Sequence, residues 1–382
     1  MPGTRILHVA DLHLGARHEY LGPGAEARRT EADALLSRIA DFALRPGAGI
    51  GGLIIAGDLF DRHDPPAALV DAVIGDLRRL DAAGIRLLTV PGNHDEYSYP
   101  RCVYRSHGAA WPGTLVRTPA PAKVDRWELG AVAVELYAMA YVAGRSRPPY
   151  DRFEVASDGG RRIAVLHGSL DAPWTDRSLP LQSPALAALG LDYLALGHIH
   201  RPAEVRLGSG WACYPGRIEG GGFDDPGCGE LVLIDVAEKE LVPRRFPFGC
   251  RRIAVESWNV SSFGAPEELD ARFAEAGDPE AIVRVTLQGV PAFPIDAERL
   301  RERFAGCFRH LEVELSADAA APPIDALAEE RTVRGLFVRL ARQRIEEAAD
   351  PEARALAEAA LRHGLAAFAS PRTEAGEGGA GR

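Results

Sequence analysis

Five times along the chain a short apolar run ends in a knot of Asp, His, Asn and Gly. The runs are Ile6 to Ala10, Leu53 to Ala56, Ile85 to Val90, Ile163 to Leu166 and Tyr193 to Leu196. The knots that follow them are Asp11-Leu12-His13, Gly57-Asp58-Leu59-Phe60-Asp61, Gly92-Asn93-His94-Asp95, His167-Gly168 and Gly197-His198-Ile199-His200. Runs of this length without alternation read as strands buried on both faces. Between the first three lie helix-period stretches, one with Leu35, Ile39 and Phe42 on a face, the other with Val70, Val73, Ile74, Leu77 and Leu80 and opened by Pro65-Pro66. Strands alternating with helices imply a layered α/β domain. The knots then gather at the carboxyl edge of the strands, where open α/β sheets bind ligands.

At 382 residues there is room for two or three domains. Hydrophobic residues at 46% and charged residues at 26% can build a core, which excludes a disordered chain. The net charge of -10 supplies no global positive field for nucleic acid or anionic lipid, so any DNA contact must come from a local surface or from bound metal. Five scattered cysteines with no C-x-x-C pair fit neither a disulfide framework nor a zinc ribbon, and point to a reducing cytoplasm. No apolar run approaches the ~18 residues of a membrane span, and the N-terminus lacks a signal-peptide core, so a cytoplasmic location and no membrane partner are expected.

Strand-like segments around Val132 to Leu136 and Leu231 to Ile234 should complete the sheets of a first domain over residues 1–250. A strand at Ile282 to Leu287, a helix at Asp296 to Phe304 and a strand at Leu311 to Leu315 suggest a small α/β domain over 251–317. Asp318 to Pro323 reads as a linker. Helical stretches at Ile324 to Ala349 and Glu352 to Phe368, broken at Asp350-Pro351, make a C-terminal helical segment over 324–369. The Gly-rich end, 370–382, should be disordered.

Carboxylate, imidazole and amide oxygen are the donors suited to manganese, iron or zinc rather than to a soft thiolate site. Each knot has a bland reading: Asp-x-His is common, a Gly-Asp turn after a strand is ordinary loop chemistry, and two nearby histidines can be a satisfied core pair. Their order weighs against coincidence. All five follow strands, and five of the 11 histidines fall inside them. Gly57, Gly92 and Gly197 precede donors where the chain must turn sharply. A carboxylate such as Asp58 can bridge two ions at the ~3.5–4 Å spacing of two-metal hydrolases, leaving a positive site that invites a phosphate.

At these residues the sequence resembles the calcineurin-like metallophosphoesterases, and within them the SbcD-type DNA repair exonucleases. The resemblance covers residues 4 to 248 and rests on Asp11-Leu12-His13-Leu14-Gly15, Gly57-Asp58-Leu59-Phe60-Asp61, Val90-Pro91-Gly92-Asn93-His94-Asp95, and Leu196-Gly197-His198-Ile199-His200 followed by Tyr214-Pro215-Gly216. It implies a layered β-sandwich flanked by helices, a smaller α/β cap that helps grip DNA, and C-terminal helices that dock on the coiled coil of an SMC-like ATPase. It also implies a homodimer. Carried over by motif, Asp11, His13 and His200 would hold one divalent ion, with manganese first and iron or zinc also suited. Asn93, His167 and His198 would hold the other, and Asp58 would bridge them. His94 would be the acid at the leaving oxygen, held by Asp95. Two departures stand out: Asp61 occupies a place where some relatives have histidine, and Gly216 to Gly229 is unusually rich in Gly and Asp.

The expected activity is therefore two-metal hydrolysis of DNA phosphodiesters, as exonuclease or endonuclease. Its rivals are a phosphodiesterase of the same fold acting on nucleotides or small phosphodiesters, and a docking subunit whose metal site is vestigial. Arg244-Arg245-Phe246-Pro247-Phe248 with Arg251-Arg252 reads equally as a DNA-contacting patch or as a solvated strand edge. His18, His63 and His107 read as surface histidines near the site. The stripe Val333, Leu336, Phe337, Leu340, Ile345 suits either a partner helix or the chain's own core.

Overall fold

The five apolar runs become the central strands of two six-stranded sheets, three in one and two in the other. The computed structural model describes residues 4–146, 155, 159–171, 179–317, 319 and 324–369. The expected tail, and the expected linker apart from Ala319, lie outside them. Two units separate by their internal contacts, residues 1–251 and 252–382.

In chain order the first unit carries β1 (Arg5–Val9), α1 (Ala25–Asp33), α2 (Leu35–Ala43), β2 (Ile50–Ala56), α3 (Ala67–Ala82), β3 (Arg86–Val90) and α4 (Val103–Ser106). There follow β4 (Thr114–Leu115), β5 (Ala122–Leu129), β6 (Val132–Ala138), β7 (Arg161–His167), β8 (Ser169–Leu170), β9 (Pro180–Leu181) and α5 (Ser183–Ala187). The unit closes with β10 (Tyr193–Gly197), β11 (Ala203–Leu207), β12 (Gly210–Tyr214), β13 (Glu230–Val236) and β14 (Leu241–Pro247). One sheet has the order β14-β13-β1-β2-β3-β4 and the other β11-β12-β10-β7-β6-β5. The middle of each is parallel, β1 to β2 to β3 in the first and β6 to β7 to β10 in the second.

The packing explains why these strands are apolar throughout. Ile6, Ile54, Leu88, Val134, Ile163 and Ala195 meet in the core between the sheets. The alternate residues Leu7, Val9, Leu53, Ile55 and Leu87 pack against Leu35, Ile39, Val73 and Leu77 of α2 and α3. Leu166, Leu194 and Leu196 form a third layer with Leu186 of α5. With both faces covered there is no solvent side on which to place polar residues. The one imidazole inside a run, His8, bonds the Tyr193 hydroxyl across the sandwich at 3.0 Å.

The second unit is built on a parallel sheet of β15 (Ile253–Asn259), β16 (Asp278–Gln288) and β17 (Phe308–Leu315), covered by α6 (Pro266–Glu275) and α7 (Ala297–Phe304). Phe273, Val283, Val285, Leu287 and Phe304 form its core. The single helix expected over 324–349 is instead two, α8 (Ile324–Glu329) and α9 (Val333–Glu346). Thr332 starts the second by accepting the Gly335 N–H at 3.1 Å, an N-cap that the apolar periodicity hid. The last helix is α10 (Pro351–Ala369). Among the described residues no helix is long and apolar enough to cross a membrane.

Candidate metal centre

All five knots lie at the carboxyl ends of β1, β2, β3, β7 and β10, and the backbone ties them into one edge. Asp11 N–H donates to Gly57 O at 3.1 Å, His13 N–H to Asp58 O at 3.0 Å and Gly168 N–H to Gly197 O at 3.2 Å. Asp11, His13, Asp58 and His198 have φ of +54°, +45°, +49° and +97°. Side-chain-bearing residues seldom occupy this region, and each such residue costs on the order of 1–3 kcal/mol. The strain answers a geometric problem. Asp11 and His13, two positions apart, would share a face on a continued strand but with their Cα atoms ~7 Å apart, whereas the turned backbone brings ligand atoms of Asp11, His13 and His200 within 4.8 Å of one another.

The donors form two sets. In the first, His13 Nε2 and His200 Nε2 face each other at 3.1 Å beside Asp11. In the second, Asn93 Oδ1 lies 3.0 Å from His167 Nε2 and 2.9 Å from His198 Nδ1. Asp58 stands between them, its Oδ2 3.3 Å from His167 Nε2 and 3.9 Å from His13 Nε2. The glycines are needed by space: a Cβ on Gly57 would sit 2.1 Å from His167 Nδ1, and one on Gly92 would sit 2.2 Å from Asp58 Oδ1.

A divalent cation fits this donor set. His167 Nδ1–H donates to Ala56 O at 3.0 Å, so in the neutral ring Nε2 is an acceptor that faces two further acceptors, Asn93 Oδ1 and Asp58 Oδ2. Without a cation the ring must take a proton. Burial opposes that charge, yet the Asp58 and Asp11 carboxylates raise its pKa to about 9. Burial, helped by the neighbouring His167 ring, pushes His198 down to about 4, and burial also lowers His13. Crowded acceptors that compete for protons are what a positive ion between them relieves.

Residues 4–202 match the family described as calcineurin-like phosphoesterase. The chain belongs to this family. It is similar to the DNA double-strand break repair protein Mre11 of Haloferax volcanii, 26% identical over 290 residues that cover 75% of this chain and 62% of that protein. The Mre11 of Sulfurisphaera tokodaii is 37% identical over 219 residues, 55% of this chain and 52% of that one. The uncharacterized metallophosphoesterase YhaO of Bacillus subtilis is 25% identical over 310 residues, 77% of this chain and 74% of that one. The chain thus spans between about half and two thirds of the length of the two Mre11 proteins, 52% and 62%.

Within this calcineurin-like phosphoesterase the expected His94–Asp95 pairing does not occur. His94 Nδ1 donates instead to the Asp61 carbonyl at 2.9 Å, which leaves Nε2 as the nitrogen open to the site. Asp95 is buried and turns away. It accepts from Gly92 N–H at 2.7 Å, Phe60 N–H at 3.2 Å and the Tyr104 hydroxyl at 2.6 Å, so it staples two donor loops together. Burial and the Asp58 charge push its carboxyl up to about 6. His94 also lies close to the first set, its ring centroid 4.6 Å from that of His13.

Two residues that sequence reasoning missed, Asp225 and Arg217, support the phosphoesterase site together with Asp61, to which it gave no role. Asp225 Oδ2 accepts from His200 Nδ1 at 2.8 Å and from Arg217 Nη1 at 2.9 Å, which fixes the His200 tautomer with Nε2 toward the first set. Asp61 Oδ1 lies 3.4 Å from His13 Nδ1. Asp225 and Arg217 both come from the Gly-rich segment 216–229, and that composition was the available signal. A buried Glu219, paired with Arg28 at 2.8 Å and Arg38 at 2.6 Å, pins the segment to α1 and α2.

The lesser expectations also resolve. His18 is buried rather than superficial, with 5% of its surface exposed. The Arg-rich stretch is a paired edge: Arg244 meets Asp235, Arg245 meets Glu204 and Glu230, Arg251 meets Glu31, and Phe246 and Phe248 pack on Phe42. In α9 the stripe splits, with Phe337 and Ile345 packed against the helices' own core while Val333, Leu336 and Leu340 are exposed.

Proposed function

We propose that this chain is a metal-dependent nuclease acting on DNA strands or ends in repair, with two divalent ions, manganese the best suited. Asp11, His13 and His200 would hold one ion, Asn93, His167 and His198 the other, and Asp58 both. The observation that supports this most directly is the placement of Asp58 within 3.3 Å of one imidazole set and 3.9 Å of the other. Ions held there supply positive charge against the phosphodiester and lower the pKa of water. The chain's own part is to place and protonate. The His94 Nε2, presented by the Asp61 carbonyl, gives a proton to the departing sugar oxygen. Asp95 keeps the His94 loop against the Asp58 loop, and Asp225 aims the His200 ring while the Asp61 carboxylate stands beside that of His13.

The DNA substrate rests on the names of the relatives, and the ATPase partner on the exposed Val333, Leu336 and Leu340 of α9 with Leu356 of α10. These residues offer an apolar face suited to a coiled coil, as one of small or charged residues would not. The test is to offer the purified chain with manganese both labelled linear DNA and an aryl phosphodiester, alone and with the ATPase. Cleavage of DNA is expected. Cleavage of the aryl ester alone, even with the ATPase present, supports the small-phosphodiester reading instead.

A further inference from the structure

On the loops that carry Asp61 and His94 lies an aromatic pair that neither the core nor the donor sets use. His63 and Tyr99 stack with ring centroids 4.0 Å apart and planes within 15°. Tyr99 keeps 45% of its surface exposed, more than most large apolar residues of the chain. The pair joins the two loops that hold the chemistry, since His63 follows Asp61, whose carbonyl aims His94, and Tyr99 follows the Asn93-His94-Asp95 knot. Both ends are tied down: Val103 N–H donates to His63 O at 2.7 Å, and the buried Cys102 donates its N–H to Tyr99 O at 3.1 Å. Two residues of chain span at most ~7 Å, so the backbone of His63 stays within about that distance of the Asp61 backbone whose carbonyl positions His94. Two arginines accompany it, Arg105 over the Tyr97 ring at 4.7 Å and Arg101 lining a cavity of about 340 Å³ with His107 and with Asp64, whose charge is met by Arg62 at 2.6 Å.

We infer that the His63–Tyr99 pair is a stacking platform for an unpaired nucleobase of the strand being cut, adjacent to the scissile phosphodiester. This rests on the nuclease reading and adds to it a preference for single-stranded or frayed ends. A stacked, water-facing ring offers a flat apolar surface that any base can cover, and such contacts are tolerant of sequence because every base has a π-face. The arginines flanking it suit the phosphates on either side of such a base.

The experiment uses the full chain with manganese and a single-stranded phosphorothioate oligonucleotide carrying 2-aminopurine. The wild type should bind it and quench its fluorescence by stacking. Tyr99→Ala should abolish the quench and weaken binding roughly 5- to 150-fold, while Tyr99→Trp restores both. Melting temperature and cleavage of an aryl phosphodiester, which has no base to stack, should be unchanged in Tyr99→Ala. Binding and quenching by Tyr99→Ala equal to wild type overturn the platform and leave the nuclease reading standing. Parallel loss of aryl-ester cleavage would show that Tyr99 only supports the loops, and also overturns it. A wild-type chain that cleaves the aryl ester but binds no oligonucleotide overturns the nuclease reading, and the platform falls with it.

Discussion

The two donor sets of the candidate metal centre use the same chemistry but are held by different means. His167 sits at the end of β7 and its ring is aimed by the Ala56 carbonyl at the end of β2, so this half is fixed by the sandwich itself. His200 is aimed by the Asp225 carboxylate at 2.8 Å, while Asp61 Oδ1 stands 3.4 Å from His13 Nδ1. Asp225 belongs to a loop secured by the buried Glu219, which pairs with the buried Arg28 and the partly exposed Arg38. One half is therefore as rigid as two sheets, and the other depends on charge pairs that substitution can remove one at a time. One donor set is thus held from strand ends, the other in part by a loop that folds back onto them.

The largest expected effect comes from removing what the halves share. Asp58→Ala should lose phosphodiester cleavage and lower metal content at both positions, because one carboxylate faces both imidazole sets. Elemental analysis that found two tightly held ions in this variant would break the assignment.

His94→Gln should slow cleavage by ~10²–10⁴-fold, the usual contribution of a general acid, while both ions stay. The ring lies near His13 and Asp58, so loss of one ion would move His94 into the first half as a ligand. Metal content and single-turnover rate on one preparation decide between the two.

A paired substitution tests the asymmetry itself. Asp225→Ala should weaken binding of one ion by ~10–100-fold, as loss of a carboxylate behind a ligating histidine does, and leave the other intact. Gly57→Ala places a Cβ 2.1 Å from His167 Nδ1 at a φ of +93°. It should disturb the opposite ion and lower stability by at least ~1–2 kcal/mol. Titration of manganese into both proteins would show two affinities changing in turn; if both variants weaken the same ion, the division into halves is wrong.

The smallest effect at neutral pH concerns the sandwich that supports the rigid half. Burial lowers the His8 pKa from 6.5 to about 3. The unfolded chain then takes its proton first, and stability is lost as pH falls from 6.5 toward 3, by up to ~1.4 kcal/mol per pH unit. His8→Phe should flatten the urea midpoint against pH in this window. An unchanged slope would show that other groups govern acid unfolding.

Much of the donor set was legible because its residue types fall directly after apolar runs, and strand ends must converge where parallel strands are neighbours. The support for those donors was not legible. Nothing in Gly92-Asn93-His94-Asp95 reveals that Asp95 turns toward Tyr104 while the Asp61 carbonyl takes the His94 ring, since a backbone acceptor carries no sequence signature. Asp225 lies 25 residues from His200, inside a stretch whose composition suggested only a loop. Likewise the α9 stripe could not be divided into core and exposed positions until α10 was in place beside it.

The sequence by itself determined the layered α/β class, the common edge of the five knots and the chemical kind of ligand they suit. Those follow from local facts: which residues can be buried in a strand, and which atoms can bind a hard cation. Only the tertiary structure decided which carboxylate aims which imidazole, which nitrogen of His94 stays open, and how the ligand atoms of Asp11 and His13 are drawn together with that of His200. Such choices depend on neighbours distant in the chain and on backbone strain that the packed sandwich sustains, and neither is written in local order.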